Sequence, residues 1–374
     1  MLNFLPAVAE NQPENKHRMN PELSSFAARL RGMISHPDTI GDEQFNSLAL
    51  ELFALQFQNN VAFRIICEVR KLTPQVVEHW TQIPAVTTSV FKELELTSLA
   101  ADERTAVFHS SGTTEQKPSR HFHCAESLAL YETGLWEWFQ QNCGVRSAEC
   151  ELVCLTPPPE QAPHSSLVHM FETIRKKFAA SKDVFNGRIS DDGVWTLDFD
   201  AVLAALNPQS AIANPKLILG TAFSFVHLLD FLAEKDLRLQ LPENTRVMET
   251  GGYKNRSRSM PKAELHALIE KFLGVPRESI ICEYGMSELS SQGYAGSAGA
   301  FHFPPWARAR IISPETGREV ADGETGFIRI FDLTNVFSVA AVQTEDLGIR
   351  RGDGFELLGR AQLAEPRGCS LMTA

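Results

Sequence analysis

The sequence predicts an α/β fold: a mostly parallel sheet flanked by helices, with a smaller β-rich subdomain on its C-terminal side. Two observations carry this. From Ala106 to about Gly293, short apolar strands alternate with amphipathic helices, the pattern of a parallel sheet covered on both faces. After Gly293 the chain becomes strand-rich (ARARIIS, GFIRIFD, VAAVQTED, FELLGR), with turns at PETG and RGDG.

In chain order, residues 1–20 read as a polar arm rich in Pro, Asn and Glu. They have no basic n-region and turn polar quickly, so they do not read as a signal peptide. Residues 21–105 form a helical N-terminal region, because LALELFALQF and VAFRIICEVRKL space their apolar residues at three and four. The loop-helix stretch WTQIPAVTTSVFKELEL follows. Residues 106–293 form the α/β core. VFHS is a short strand, then comes a Ser/Gly/Thr loop, the helix AESLALYETGLWEWFQQ and the strand ELVCLT. A Pro-rich connection leads to SLVHMFETIRKKF, which Ser165 or Ser166 can cap. LILG with FSFVHLLDFLAEK, RVMETGG with PKAELHALIEKFLG, and SIICEYG repeat the strand-then-helix rhythm. Residues 294–374 make the β-rich subdomain and a tail carrying Cys369.

The chain has 374 residues, 43% of them hydrophobic, enough to bury a sizeable core. A formal net charge of -11 opposes non-specific binding of nucleic acid or anionic lipid. No apolar run spans a bilayer: Leu217–Leu232 is interrupted by Gly220, Ser224, His227 and Asp230. The seven cysteines are scattered, which fits free thiols in a reducing cytoplasm. Cys150 and Cys154 can face one side of a strand, but with no nearby His or further Cys they do not read as a zinc site.

His109-Ser110-Ser111-Gly112-Thr113-Thr114 follows a strand. Hydroxyls and glycine-freed backbone N–H groups suit an anion-holding loop, and Lys117 and Arg120 can add positive charge. The G-x-x-x-x-G-K-[ST] pattern is absent, and alone this segment could equally be a polar turn. Three further segments come in order: Tyr284-Gly285-Met286-Ser287-Glu288, then Thr344-Glu345-Asp346, then Gly359-Arg360.

Together these resemble the adenylate-forming superfamily of acyl-CoA synthetases, luciferases and adenylation domains, which carries S-[ST]-G-[ST]-T-G-x-P-K, Y-G-x-[ST]-E, T-G-D and G-R in that order. WTQIPAVTTSVFKE, SSGTT with PSR, TGGYK and the terminal GRAQLAEPRGCSLM resemble more closely the acyl-protein synthetase (LuxE) family of fatty-acid–luciferin-component ligases. The phenylacetate-CoA ligases are more distant.

This resemblance implies an adenylate-forming N-terminal-type domain and an enzyme, an acid–thiol ligase, that uses ATP and Mg²⁺. A carboxylate, by family a fatty acid, would attack the α-phosphate of ATP to give acyl-AMP and pyrophosphate. Charge crowds that centre, so positioning and neutralisation would carry catalysis. Ser110, Ser111, Gly112, Thr113 and Thr114 would hold the phosphates, with Thr114 near the α-phosphate or the metal and Arg120 near the loop's end. Glu288 would hold Mg²⁺, or simply answer a helix dipole. Tyr284 would stack on adenine, or be a core aromatic. Gly251, Gly252 and Tyr253 would form the other wall. Asp346 would accept the ribose hydroxyls, and Arg360 would reach ribose or phosphate. Ala222-Phe223-Ser224-Phe225-Val226 would adjoin the acid, its phenylalanines lining the pocket or filling the core.

Three departures stand out. Glu115 replaces the loop's usual Gly, T-E-D replaces T-G-D, and AQLAEPRG follows Arg360 where the superfamily has a hinge, so the mobile C-terminal domain is expected to be absent or vestigial. Cys369, in Arg367-Gly368-Cys369, has the position of the acylated cysteine of the acyl-protein synthetases, and a neighbouring Arg favours thiolate. The remaining six cysteines read as structural. The acyl group would pass from Cys369 to a partner such as an acyl reductase. The competing readings are an acyl-CoA ligase, a ligase acylating a carrier protein or amine, and a non-catalytic assembly subunit.

Overall fold

The computed structural model describes residues 20–36, 40–110, 117–144, 150–191, 193–207, 214–251, 260–296 and 299–360. The chain opens with three helices, α1 (Pro21–Ile34), α2 (Asp42–Asn59) and α3 (Val61–Val69). Asn20 caps α1, its Oδ1 accepting from the Glu22 and Leu23 amides at 2.8 and 3.4 Å, with Pro21 in the first turn. A short strand β1 (Val86–Thr87) and one helical turn, α4 (Val90–Glu93), complete this part.

The next strand departs from the expected rhythm. β2 (Ala106–His109) pairs antiparallel with β3 (Arg120–His123) in a separate two-stranded ribbon. The segment RHFH, read from the sequence as the continuation of the loop, is a strand whose His121 and His123 face inward. The long helix α5 (Ala125–Cys143) then leads to β4 (Glu151–Cys154) and α6 (Ser166–Lys177), whose cap is Ser165, accepting from the Val168 amide at 3.3 Å. Between α6 and the next core strand lie a hairpin, β5 (Gly187–Ile189) with β6 (Trp195–Leu197), and helix α7 (Phe199–Leu206). The sequence reading passed over these three elements, which are short and flanked by polar residues.

The core then alternates as expected through β7 (Lys216–Thr221), α8 (Ala222–Glu234), β8 (Arg246–Thr250), α9 (Lys262–Leu273), β9 (Ile280–Tyr284) and β10 (Gly293–Gly296). No turn separates β7 from α8: Thr221 Oγ1 caps the helix directly, accepting from the Ser224 amide at 3.0 Å. The sheet order is β10-β9-β8-β7-β4, parallel except for the antiparallel edge strand β10. Strand alternation divides its side chains cleanly. Val153, Ile218, Val247 and Ile280 pack with α7, α8 and α9. Leu152, Cys154, Leu217, Leu219, Met248 and Ile281 pack with α5 and α6.

The second sheet holds β11 (Ala307–Ile312), β12 (Thr325–Asp332), β13 (Ala341–Arg351) and β14 (Gly354–Arg360) as an antiparallel meander, and β1 joins β13 in parallel. The register slips once between β12 and β13, at Phe327/Arg329, and once between β13 and β14, at Leu347/Gly348. Helices α1 to α3 pack on this sheet and share one apolar cluster with Ile311, Ile328, Ile330, Phe331 and Val342. The join is also polar. Buried Gln56 of α2 donates to the carbonyls of Asn335 and Val336 at 2.8 and 3.2 Å and accepts from the Ala340 amide at 3.1 Å. Asn60 donates to the Ser338 carbonyl at 3.2 Å while capping α3 through the Phe63 amide. Two side-chain amides, one in α2 and one at the α2–α3 junction, therefore satisfy the backbone of the β12–β13 connection.

Replacing Gln56 with Leu keeps the volume but strands these buried backbone groups. The expected cost is about 3 kcal/mol, read as a lower urea midpoint with unchanged slope, whereas Gln58→Leu on the exposed side of the same helix stays within about 0.5 kcal/mol of the wild type.

Candidate adenylate-forming site

In a parallel α/β sheet, ligands bind beyond the carboxyl ends of the strands. Here those ends carry Gly251, just after β8, and Tyr284, the last residue of β9. Gly251 has φ +68°, a left-handed conformation that favours glycine. At Gly285 a Cβ would overlap Glu283 Oε1, so a side chain in the turn out of β9 would displace that carboxylate.

The ribbon β2–β3 delivers the first motif. Ser110 and Ser119 close the base of the loop: the Ser119 amide donates to Ser110 Oγ at 3.0 Å, and the Ser110 amide to the Ser119 carbonyl at 3.4 Å. Ser111, Gly112, Thr113, Thr114 and Glu115 lie outside the described residues, as do Gly252, Tyr253 and Cys369. Ser119 Oγ lies 3.3 Å from Ser287 Oγ, and His121 Nδ1–H donates to the Ser287 carbonyl at 2.9 Å. Burial pushes the His121 ring down to about 4, so it is neutral near pH 7 and acts as a fixed donor. The phosphate-loop motif and the Tyr284–Glu288 motif are thus bonded to each other.

Glu288 is 4% exposed, and Ser287 Oγ donates to its Oε2 at 3.0 Å. Burial raises its pKa, against the lowering influence of hydroxyls at Ser119 and Ser287. No ion pair to Glu288 is found among the described residues. The loop that carries it is anchored from below by Asp332, at the end of β12. Asp332 accepts from the amides of Ser290, Ser291 and Thr334 at 2.9, 2.8 and 3.0 Å, and from the hydroxyls of Ser291 and Thr334 at 2.8 and 2.5 Å. Asn335 adds a bond to the Glu288 carbonyl at 2.9 Å.

The second sheet supplies the remaining motifs. The Tyr284 hydroxyl donates to Asp346 Oδ2 at 2.9 Å, and the ring packs against Phe301, Phe303 and Phe355. The Asp346 amide donates to Thr344 Oγ1 at 3.1 Å, and the register partner of Asp346 on β14 is Arg360. Burial raises the Asp346 carboxyl, and the Tyr284 hydroxyl and the Arg360 charge oppose that rise. Arg360 lies 3.2 Å from Glu345, the residue that stands where the superfamily motif has Gly. Arg120 instead pairs with Glu95 at 3.3 Å, with its Nε buried and without a partner among the described residues, and Lys117 lies 3.6 Å from Glu93. Ser110, Tyr284, Glu288, Asp346 and Arg360 are therefore linked through three short bonded chains. Arg120 starts the strand that holds the Glu288 loop. Phe225 is core, while Phe223 borders a recess with Leu155, Trp195 and His227. The sequence reading missed His121, Asp332 and Asn335, all partners of the motif rather than members of it, and assigned no role to Ser119, which it quoted within PSR. The alternating H-x-H of β3 was the one available signal.

The model of the family described as Acyl-protein synthetase, LuxE, matches residues 39–374. The chain belongs to the acyl-protein synthetase family. It is 23% identical over 351 residues to a long-chain-fatty-acid–luciferin-component ligase of Aliivibrio fischeri, covering 88% of this chain and 87% of the relative. The corresponding ligase of Vibrio harveyi is 24% identical over 334 residues, covering 85% and 84%. Among solved structures, 2-hydroxyisobutyryl-CoA ligase with a bound acyl adenylate shares the fold at TM-score 0.64 and 14% identity, covering 96% of this chain and 72% of that one. An open form of that ligase with adenylate and CoA gives TM-score 0.64 at 13% identity, covering 85% and 74%. As an acyl-protein synthetase the chain is an adenylate-forming ligase that activates an acyl group with ATP. No helix among the described residues is long and apolar enough to cross a membrane.

One buried carboxyl of this region gives a pH signature. Burial, with Glu249 nearby, pushes Glu283 up to about 7 from an ordinary 4.5, against the Thr250 hydroxyl that donates to it. Its folded pKa lies above its unfolded one, so its neutral form favours folding fully below about pH 4.5, and this contribution disappears as the pH rises through about 7. Glu283→Gln removes this dependence. Relative to the variant, the wild type should lose on the order of 3 kcal/mol across that window, measured by urea unfolding at a series of pH values.

Proposed function

We propose that the chain activates a long-chain fatty acid as acyl-AMP and transfers the acyl group to the thiol of Cys369, from which a partner such as an acyl reductase collects it. The reading rests on one observation above all: the four motifs converge, through Ser119–Ser287, Tyr284–Asp346 and the Asp346–Arg360 register, on the carboxyl ends of β8 and β9. The names of the Aliivibrio and Vibrio relatives supply the acid class.

In this reading Ser110 to Thr114 and Arg120 hold the phosphates, and Gly251, Gly252, Tyr253 and Tyr284 enclose adenine. Asp346 offers Oδ1 to the ribose while Oδ2 keeps the Tyr284 bond. Arg360 leaves Glu345 for the nucleotide, an exchange that costs little because exposed ion pairs contribute about 0–1 kcal/mol. Glu288, a buried carboxylate with no ion pair among the described residues, fits Mg²⁺, which when bound neutralises phosphate charge. The carboxylate oxygen attacks the α-phosphorus and pyrophosphate departs. The Cys369 thiolate then attacks the acyl carbonyl, the C–S bond forms, and AMP leaves. Cys369 is nine residues beyond Arg360, so the chain itself keeps it within about 30 Å of that residue. A cytoplasmic location fits the six free cysteines among the described residues.

ATP–pyrophosphate exchange across acids of increasing chain length should respond most strongly to long chains. Glu288→Gln should lower exchange about 10²–10³-fold. Cys369→Ser should keep exchange but lose the hydroxylamine-sensitive adduct from a radiolabelled acid. A labelled thioester that survives in Cys369→Ser would overturn the assignment of the thiol, and exchange restricted to aryl or short acids would overturn the fatty-acyl reading.

A further inference from the structure

A second set of buried donors lies behind the strand ends. Glu249 sits on β8 and Cys282 on β9, and the two are register partners. They share the parity of Val247 and Ile280, so both point toward the helices on the α9 side, where His266 descends onto them. His266 Nε2 lies 3.6 Å from Glu249 Oε1 and 3.8 Å from Cys282 Sγ, and the three donor atoms all lie within 4.8 Å of one another. All three side chains are buried, His266 completely.

The same ring nitrogen faces both the thiol and the carboxylate. A nucleophilic relay needs the two nitrogens to face different partners, so this is not the geometry of an activated cysteine. It is the geometry of three donors around one point. Zinc bonds of about 2.0–2.3 Å at tetrahedral angles place donor atoms roughly 3.4–3.6 Å apart, close to the separations seen. The imidazole also lacks good partners. Nδ1 is buried without a hydrogen bond among the described residues, and Nε2 has only a long contact to sulfur and a carboxylate oxygen beyond hydrogen-bond range. Among the described residues, the cation paired with Glu249 is the half-exposed Lys262, its Nζ 3.8 Å from Glu249 Oε1 and 4.7 Å above the Phe301 ring. A lysine stem of that exposure can withdraw to solvent when a stronger cation arrives.

We propose that Glu249, His266 and Cys282 bind one zinc ion, with water as the fourth ligand. Thiolate and imidazole select zinc over magnesium or calcium, so the site is chemically distinct from Glu288. Binding releases the thiol proton to solvent and leaves the sulfur as thiolate. The ion would join β8, β9 and α9 two residues before Gly251 and Tyr284, and so fix the spacing of the strand ends that carry the nucleotide motifs.

The test uses the full chain, stripped with a chelator and titrated with Co²⁺. The expected result is one equivalent bound with a thiolate-to-cobalt charge-transfer band, displaced by Zn²⁺, unchanged in Cys369→Ser and absent from Cys282→Ser. Zinc affinity in Cys282→Ser should fall on the order of 100-fold or more. Far-UV circular dichroism shows whether that variant folds. Should it not, Lys262→Met replaces it: loss of the competing ammonium should tighten Co²⁺ binding about 10-fold. No thiolate band in the wild type, a band that persists in folded Cys282→Ser, or no tightening in Lys262→Met would each overturn the site.

Discussion

The carboxylate of Asp332 is the constraint on which the site depends. It is fully buried, at the end of a strand of the second sheet, and takes five hydrogen bonds from two separate segments. A buried ion is costly unless its lone pairs are satisfied, and here donors answer it from both sides. The segment it captures on one side, Ser290–Ser291, begins two residues after Glu288. The position of Glu288 is therefore not set by the sheet from which its loop emerges. It is set from outside that sheet: by Asp332, which never needs to touch a substrate, together with Asn335 and the His121 and Ser119 contacts of the β2–β3 ribbon.

The same division of labour runs through the polar join at Gln56 and Asn60. Those side chains belong to α2 and to its junction with α3, near the start of the chain, yet they complete the backbone bonding of the β12–β13 connection that leads out of Asp332. The first helices, the second sheet and the Glu288 loop are thus one mechanical unit, although they are far apart in sequence. The apolar cluster beneath them supplies most of the adhesion, and the amides supply the alignment.

How much of this was legible in the sequence follows from the range of the interactions. The alternation from β7 to β9 was plain because each strand there is buried on both faces and each helix shows its own period. The ribbon β2–β3 was not, because its strands are four residues each and histidines occupy positions where an apolar pattern would show. β5, β6 and α7 escaped for a similar reason. Within the site, Tyr284, Glu288, Asp346 and Arg360 were visible as members of local motifs. Asp332 and His121 were invisible, since their roles consist of bonds to residues 41 to 166 positions away. The Glu249–His266–Cys282 cluster is of this kind too. Its members come from three elements, and only the parallel register of β8 and β9 reveals that two of them face one helix. Glu345 is a converse case: a departure from a familiar pattern that looks like wear in the sequence pairs, in the fold, with the arginine of the next motif.

The register slips that flank β13 carry a further consequence. Because side chains alternate along a strand, Asp346 meets Tyr284 only if the number of residues between the slip beside β12 and the slip beside β14 is right. Gaining or losing one residue in that short interval would turn the carboxylate to the opposite face and exchange it for Glu345 or Leu347. The Arg351–Gly354 turn lies beyond the second slip and is free of this counting. Length variation among related chains should thus collect at that turn and avoid the interval, even where individual side chains drift.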